Sequence, residues 1–361
     1  MISKRAQSID SSGIRKVFDL AAKLKDPINL SIGQPDFDGF PSIKEKAHQA
    51  IDAGKSTYTV TQGIPELRAE VLEKYRVKDS GTQALITSGV SGGLLLAYFS
   101  MLDPGDEILV PDPYFCMYRD LAYLVNAKPV YYDTYPSFSA DPAQIQKLIT
   151  PKTRAILINS PCNPTGYAWS EEELKAVVEV ASKAGIWVIY DEIYEPYVYD
   201  YSHPNCFGLY EKVLILNGFS KSHGIPGWRA GYALGPTSLI EQMTKIQQYS
   251  FVCTPSLVQA ALIGEVERDT TELTKRYKEK RDLIVSLLQE KFTFVTPGGA
   301  FYLFAEAPGG DGQAFVEKAI EKGVLIVPGN VFSTKNTHFR LSFSASLDTL
   351  RKGAERLNSI V

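Results

Sequence analysis

The 361 residues carry 38 Lys+Arg against 41 Asp+Glu, a net charge of −3, and are 44% hydrophobic and 22% charged. This makeup fits a folded chain of about two domains and excludes a low-complexity scaffold. The near-neutral balance leaves no electrostatic footprint for nucleic acid or an acidic membrane surface.

Helical spacing of Ile14, Val17, Phe18, Ala21 and Leu24 predicts a helix over 11–24, stopped by Asp26-Pro27. INLSIGQPDF (28–37) reads as a strand entering a Gly/Pro loop. Ser42 and Glu45 form a capping-box pattern for a helix ending at Gly54, and Pro65 suits the first turn of a helix to Tyr75. A regular series follows: apolar strands at 83–88, 107–111, 129–133, 154–159, 186–191, 213–217 and 231–235, most of them separated by amphipathic helices. Continuous apolar strands alternating with helices predict a mostly parallel seven-stranded sheet covered on both faces. The helix from Ser170 has Glu173 at the capping-box position and Gly185 after its end. A long charged helix, 272–291, then leads into strand, helix and strand elements that read as a smaller α+β domain. The expected division is 36–270 for the large domain, with 1–35 and 271–361 forming the small one.

The four cysteines (Cys116, Cys162, Cys206, Cys253) are scattered, as are His48, His203, His223 and His338, so neither a metal cluster nor a disulfide framework is expected. MISKRAQSIDSSG lacks the apolar core of a signal peptide, and no uncharged apolar run reaches the ~18 residues of a membrane span. The expectation is a cytoplasmic protein.

Ligands of open parallel sheets bind beyond the carboxyl ends of the strands, and polar residues gather there. A glycine-rich turn, Ser88 to Gly93, opens a helix whose free N–H groups suit a phosphate. It is neither GxGxxG nor a Walker loop, so a dinucleotide site with Asp112 on the ribose is disfavoured. Lys221 stands just past an apolar strand, where burial favours a neutral, nucleophilic amine; a surface lysine is the bland alternative. Asp191 ends another strand and needs a cationic partner to stay charged, unless it is a structural cap. Arg229 in PGWRAGY and Arg340 in FRLSF sit in apolar surroundings, each seeking a carboxylate or phosphate; internal salt bridges are the competing explanation.

The order SIGQPDF, YTVTQGIPELR, TSGVSGG, DPYF, NSPCNPTG, YDEIY, NGFSKSHGIPGWRAGY and FRLSF resembles the pyridoxal-phosphate enzymes of the aspartate aminotransferase family, fold type I, over nearly the whole chain. The resemblance implies that Lys221 holds the cofactor aldehyde and Asp191 pairs with the pyridine nitrogen. Asn163 and Tyr194 would bind its phenolic oxygen, and Tyr114 would stack on the ring. The N–H groups of Val90 and Ser91, with Arg229, would hold the phosphate. Tyr58 would reach the neighbouring site of a homodimer. Arg340 would grip the substrate carboxylate, helped by Asn163 and the Gly33 N–H, and the freed Lys221 would move the proton. Many relatives carry a serine three residues before the lysine, where this chain has Gly218. The reaction so implied is ping-pong transfer of an amino group from an L-amino acid to a 2-oxo acid, with aspartate and 2-oxoglutarate the default pair. A carbon–sulfur β-lyase on the same fold is the main rival. A cofactor-sensing transcription regulator is disfavoured, because only about ten residues precede the first expected helix.

Overall fold

The computed structural model describes residues 2–7, 9, 13, 26–78 and 81–361. The helix expected over 11–24 lies outside them but for Gly13. Twelve strands are described. After β1 (Ile28–Asn29) come the seven of the main sheet: β2 (Thr82–Thr87), β3 (Glu107–Asp112), β4 (Lys128–Asp133), β5 (Thr153–Asn159), β6 (Trp187–Asp191), β7 (Val213–Gly218) and β8 (Gly231–Pro236). Their order is β2-β8-β7-β6-β5-β3-β4, all parallel except β8, which runs against both neighbours.

Alternate residues feed two cores, as pleated strands covered on both faces require. Val188 and Tyr190 face Leu174, Val177, Leu67 and Ile43, whereas Ile189, Leu157 and Leu216 face Leu94, Leu121 and Met243. Each fully buried aliphatic side chain contributes about 1.5–3 kcal/mol over its exposed state. The helix Glu171–Ala184 starts on the expected capping box, Ser170 with Glu173, and ends at Gly185 in the left-handed region.

The Ser42 capping box does not form. Pro41, with its φ fixed by the ring, takes the first helical turn after Phe40, so Ser42 falls inside the helix Pro41–Asp52 and its hydroxyl accepts from Arg268 instead. The strand expected from 28 is two residues long, paired in parallel with β10 (Val324–Leu325) before the Gly/Pro loop turns away.

Beyond the helix Thr271–Leu288, a second core gathers β9 (Tyr302–Glu306), β11 (Val327–Pro328) and β12 (His338–Ser342) in an antiparallel sheet ordered β11-β12-β9. The helices Gly312–Glu321 and Leu347–Asn358 pack there with Ile28 and Leu30. No described helix is long and apolar enough to cross a membrane.

Candidate active site

A cavity of about 630 Å³ opens at the carboxyl ends of the central strands. Its wall includes Gly33, Val90, Ser91, Asn163, Asp191, Tyr194, Lys221, Arg229 and Arg340. Nine of the eleven residues singled out from the sequence are therefore brought together, although they span more than 300 positions of chain.

Strand register sets the centre. Asn159 of β5 pairs with Asp191 of β6, and Asp191 pairs with Leu216 of β7. The chain leaves β7 into the short helix Phe219–Ser222, which carries Lys221. The Lys221 Nζ donates to the Gly33 carbonyl at 2.7 Å. Burial, reinforced by Arg340 and Arg229, pulls its pKa down to about 8, against a weaker opposing pull from Asp191. Burial likewise raises Asp191, to about 6, opposed by the Tyr118 hydroxyl donating to Oδ2 at 2.8 Å and the Ile193 N–H donating to Oδ1 at 3.1 Å. The carboxylate is therefore mostly ionised at neutral pH.

One end of the cavity is built for an anion. The helix Gly89–Met101 starts there, and the first N–H groups of any helix lack partners within it. The Arg229 guanidinium lies against Gly89 so closely that a Cβ at that glycine would meet its Nη2 at 2.8 Å. A Cβ on Gly218 would stand 2.7 Å from the Gly231 Cα, and one on Gly231 would stand 2.8 Å from the Gly89 carbonyl carbon. Three backbones thus stack where β7, β8 and the glycine-rich turn meet, and a serine at 218 has no room.

Arg340 occupies another part of the wall. It is fully buried, with the rings of Tyr302 and Phe332 each 4.5 Å from its guanidinium. Nη1 donates to Asn163 Oδ1 at 2.8 Å and Nη2 to the Ser31 carbonyl at 2.7 Å, while Nε is buried without a partner. Among the described residues no carboxylate pairs with it, so an internal salt bridge does not account for this arginine. A buried guanidinium held only by neutral acceptors is a receptor for a carboxylate.

One expectation is corrected. Tyr114 does not line the cavity: it is buried, stacked on Tyr131 at 5.2 Å, and its neighbour Phe115 stands in the wall. The sequence marked this loop but not which aromatic faces inward, since a one-residue phase in a turn has no periodic signal. Gly33 uses its carbonyl, toward Lys221, and a Cβ there would lie 2.1 Å from the Tyr302 hydroxyl. Tyr58 is 83% exposed and lies outside the cavity of its own chain.

Among the residues of the wall that escaped the sequence analysis are Asn159, Tyr118, Ser220 and Tyr302. Asn159 accepts the Asn163 N–H at 2.9 Å and donates to the Asp191 carbonyl at 3.0 Å, joining the NPTG turn to β6. It ends an apolar strand as Asp191 does, which was a usable signal. Tyr118 and Ser220 each lie close along the chain to a residue that was singled out. Tyr302, whose hydroxyl pairs with that of Tyr194 at 2.7 Å, follows a loop far along the chain and carried no mark.

The family model for aminotransferase class I and II matches residues 25–357. A probable aspartate aminotransferase of Methanocaldococcus jannaschii is 36% identical, covering 98% of this chain and 97% of its own. An aromatic-amino-acid aminotransferase of Thermococcus litoralis is 33% identical over 100% and 98%. The solved structure of Thermus thermophilus aspartate aminotransferase with maleate superposes with a TM-score of 0.95 at 33% identity, covering all of both chains. With the family model spanning most of the chain and relatives more than 30% identical along nearly the whole of both chains, the chain belongs to the class I and II aminotransferases.

Proposed function

We propose that this aminotransferase uses Lys221 as the group that first holds pyridoxal phosphate and then moves the substrate proton. The residues present fit that cofactor. A helix start with Arg229 suits its phosphate, the ionised Asp191 suits its ring nitrogen, and the buried amine of Lys221 suits its aldehyde. When bound, pyridoxal phosphate supplies an electron sink for the pair released at the substrate α-carbon. Val90 and Ser91 would offer backbone N–H groups to the phosphate, Asn163 and Tyr194 would hold the phenolic oxygen, and Phe115 would take the ring-stacking place first expected of Tyr114. Arg340 seats the α-carboxylate and so aims the α-hydrogen. The Lys221 Nζ, neutral once freed, takes the proton from the α-carbon and delivers it onward.

The observation that carries this reading is the buried Arg340, with no carboxylate partner among the described residues, across one cavity from a lysine whose pKa is pulled down to about 8. A holoenzyme given one L-amino acid is expected to release one equivalent of 2-oxo acid per site and no ammonia. Pyruvate with ammonia, over many turnovers, would instead identify a β-lyase.

Because only the free amine attacks an aldehyde, capture of pyridoxal phosphate by the apoenzyme is expected to quicken about tenfold per pH unit up to pH about 8 and then level off. Stopped-flow absorbance measures this; a rate still climbing between pH 9 and 10 would show that Lys221 keeps an ordinary lysine pKa.

We also propose a cytoplasmic homodimer, with 36–270 as the large domain and 1–35 plus 271–361 as the small one. An exposed apolar patch supports the dimer: Tyr58 and Val60 on one loop, and Tyr249, Phe251 and Val252 on another. The two loops are tied through Gln247 to the Thr61 carbonyl at 2.7 Å, and Phe251 lies against Gly92 of the phosphate-end helix. A second copy seated there would bring its Tyr58 toward this cavity.

A further inference from the structure

The cavity has more wall than the cofactor and an α-carboxylate need, and that surplus is apolar. It is formed by Ile9, Leu94, Met117, Leu121 and Leu124. The last three stand at i, i+4 and i+7 on the helix Cys116–Leu124, so one helix face looks into the space. The carboxylate among the lining residues of this helix is Asp120, ion-paired with the Arg119 Nε at 2.8 Å. Arg119 itself turns away, toward the hydroxyl and ring of Tyr114, and does not line the cavity. The cations among the described lining residues are Lys221, Arg229 and Arg340, and each already has a place in the proposed chemistry.

Resting on the aminotransfer reading, we infer that the donors of this enzyme are L-amino acids with neutral, apolar side chains, aromatic or long aliphatic, in preference to aspartate and glutamate. A phenyl or isobutyl group on this face leaves water for methyl, thioether and ring surface, each Å² gaining about 25 cal/mol. A second carboxylate there exchanges its hydration for methyl and thioether surface and stands near the Asp120 carboxylate, itself paired with Arg119. Met117, Leu121 and Asp120 are accordingly specificity-determining residues.

Two measurements on the holoenzyme test this. The first is calorimetric titration with two carboxylates that carry no amino group, 3-phenylpropionate and succinate. The former is expected to bind at least about tenfold tighter. The second is the single-turnover release of 2-oxo acid, in which L-phenylalanine or L-leucine is expected to exceed L-aspartate by about a hundredfold in kcat/KM. Met117→Lys sets an ammonium on the face and is expected to shift both ratios toward the diacid by about tenfold or more. Asp120→Asn, which removes the like charge and keeps the shape, is expected to shift them the same way by severalfold, should the lysine variant not fold. Succinate and aspartate matching or beating the apolar ligands would overturn the inference while leaving amino transfer intact. If 3-phenylpropionate binds preferentially but no amino acid yields a 2-oxo acid, the ligand class stands and the reaction falls.

Discussion

Lys221→Ala is expected to lower turnover by about 10⁴-fold or more, because one side chain serves as both nucleophile and base. The fold is expected to survive. The ammonium makes one described hydrogen bond, to the Gly33 carbonyl, and without it Asp191 is still held by the Tyr118 hydroxyl and the Ile193 N–H. Circular dichroism and a melting curve separate loss of chemistry from loss of structure. Pyridoxal phosphate should still bind through the phosphate end, now without the absorbance of a covalently held aldehyde. A variant with ordinary turnover would move the catalytic amine elsewhere.

Arg340→Ala should depress kcat/KM for every amino acid and every 2-oxo acid together. Losing one member of a buried charge pair costs about 2–5 kcal/mol, a factor of roughly 30 to several thousand. The uniformity is the diagnostic, since the α-carboxylate is what all the substrates share. Arg340→Lys should fall between: it keeps the charge but lacks the fork that now spans Asn163 and Ser31. A loss confined to one donor would mean that Arg340 reads side chains instead.

Much of this was legible in the sequence because the sheet's chemistry is local. A polar residue ending an apolar strand, as Asp191 ends β6, marks both the strand's limit and the site's edge. Lys221 stands three residues past β7 and Arg229 eight further on, positions the spacing marked and the resemblance turned into roles. What escaped was set by tertiary contact. Tyr302 reaches Tyr194 from the second core, and nothing near either residue announces the other. The phase of the 113–116 turn, which swaps Phe115 for Tyr114, depends on where Tyr131 and Arg119 offer the tyrosine a better berth. Propensity also lost to geometry at Ser42, where Pro41 had already claimed the helix start.

The meeting of Gly89, Gly218 and Gly231 bears on how this enzyme can change over time. Where three main chains touch, each substitution that adds even a methyl group must move a strand, so mutation has little to choose from. The apolar wall, made of interchangeable Met and Leu side chains on a single helix face, tolerates exchange at small cost. Drift and selection would therefore leave the cofactor's end fixed and rewrite the substrate's end, so that divergent descendants of this chain share one chemistry and differ in diet.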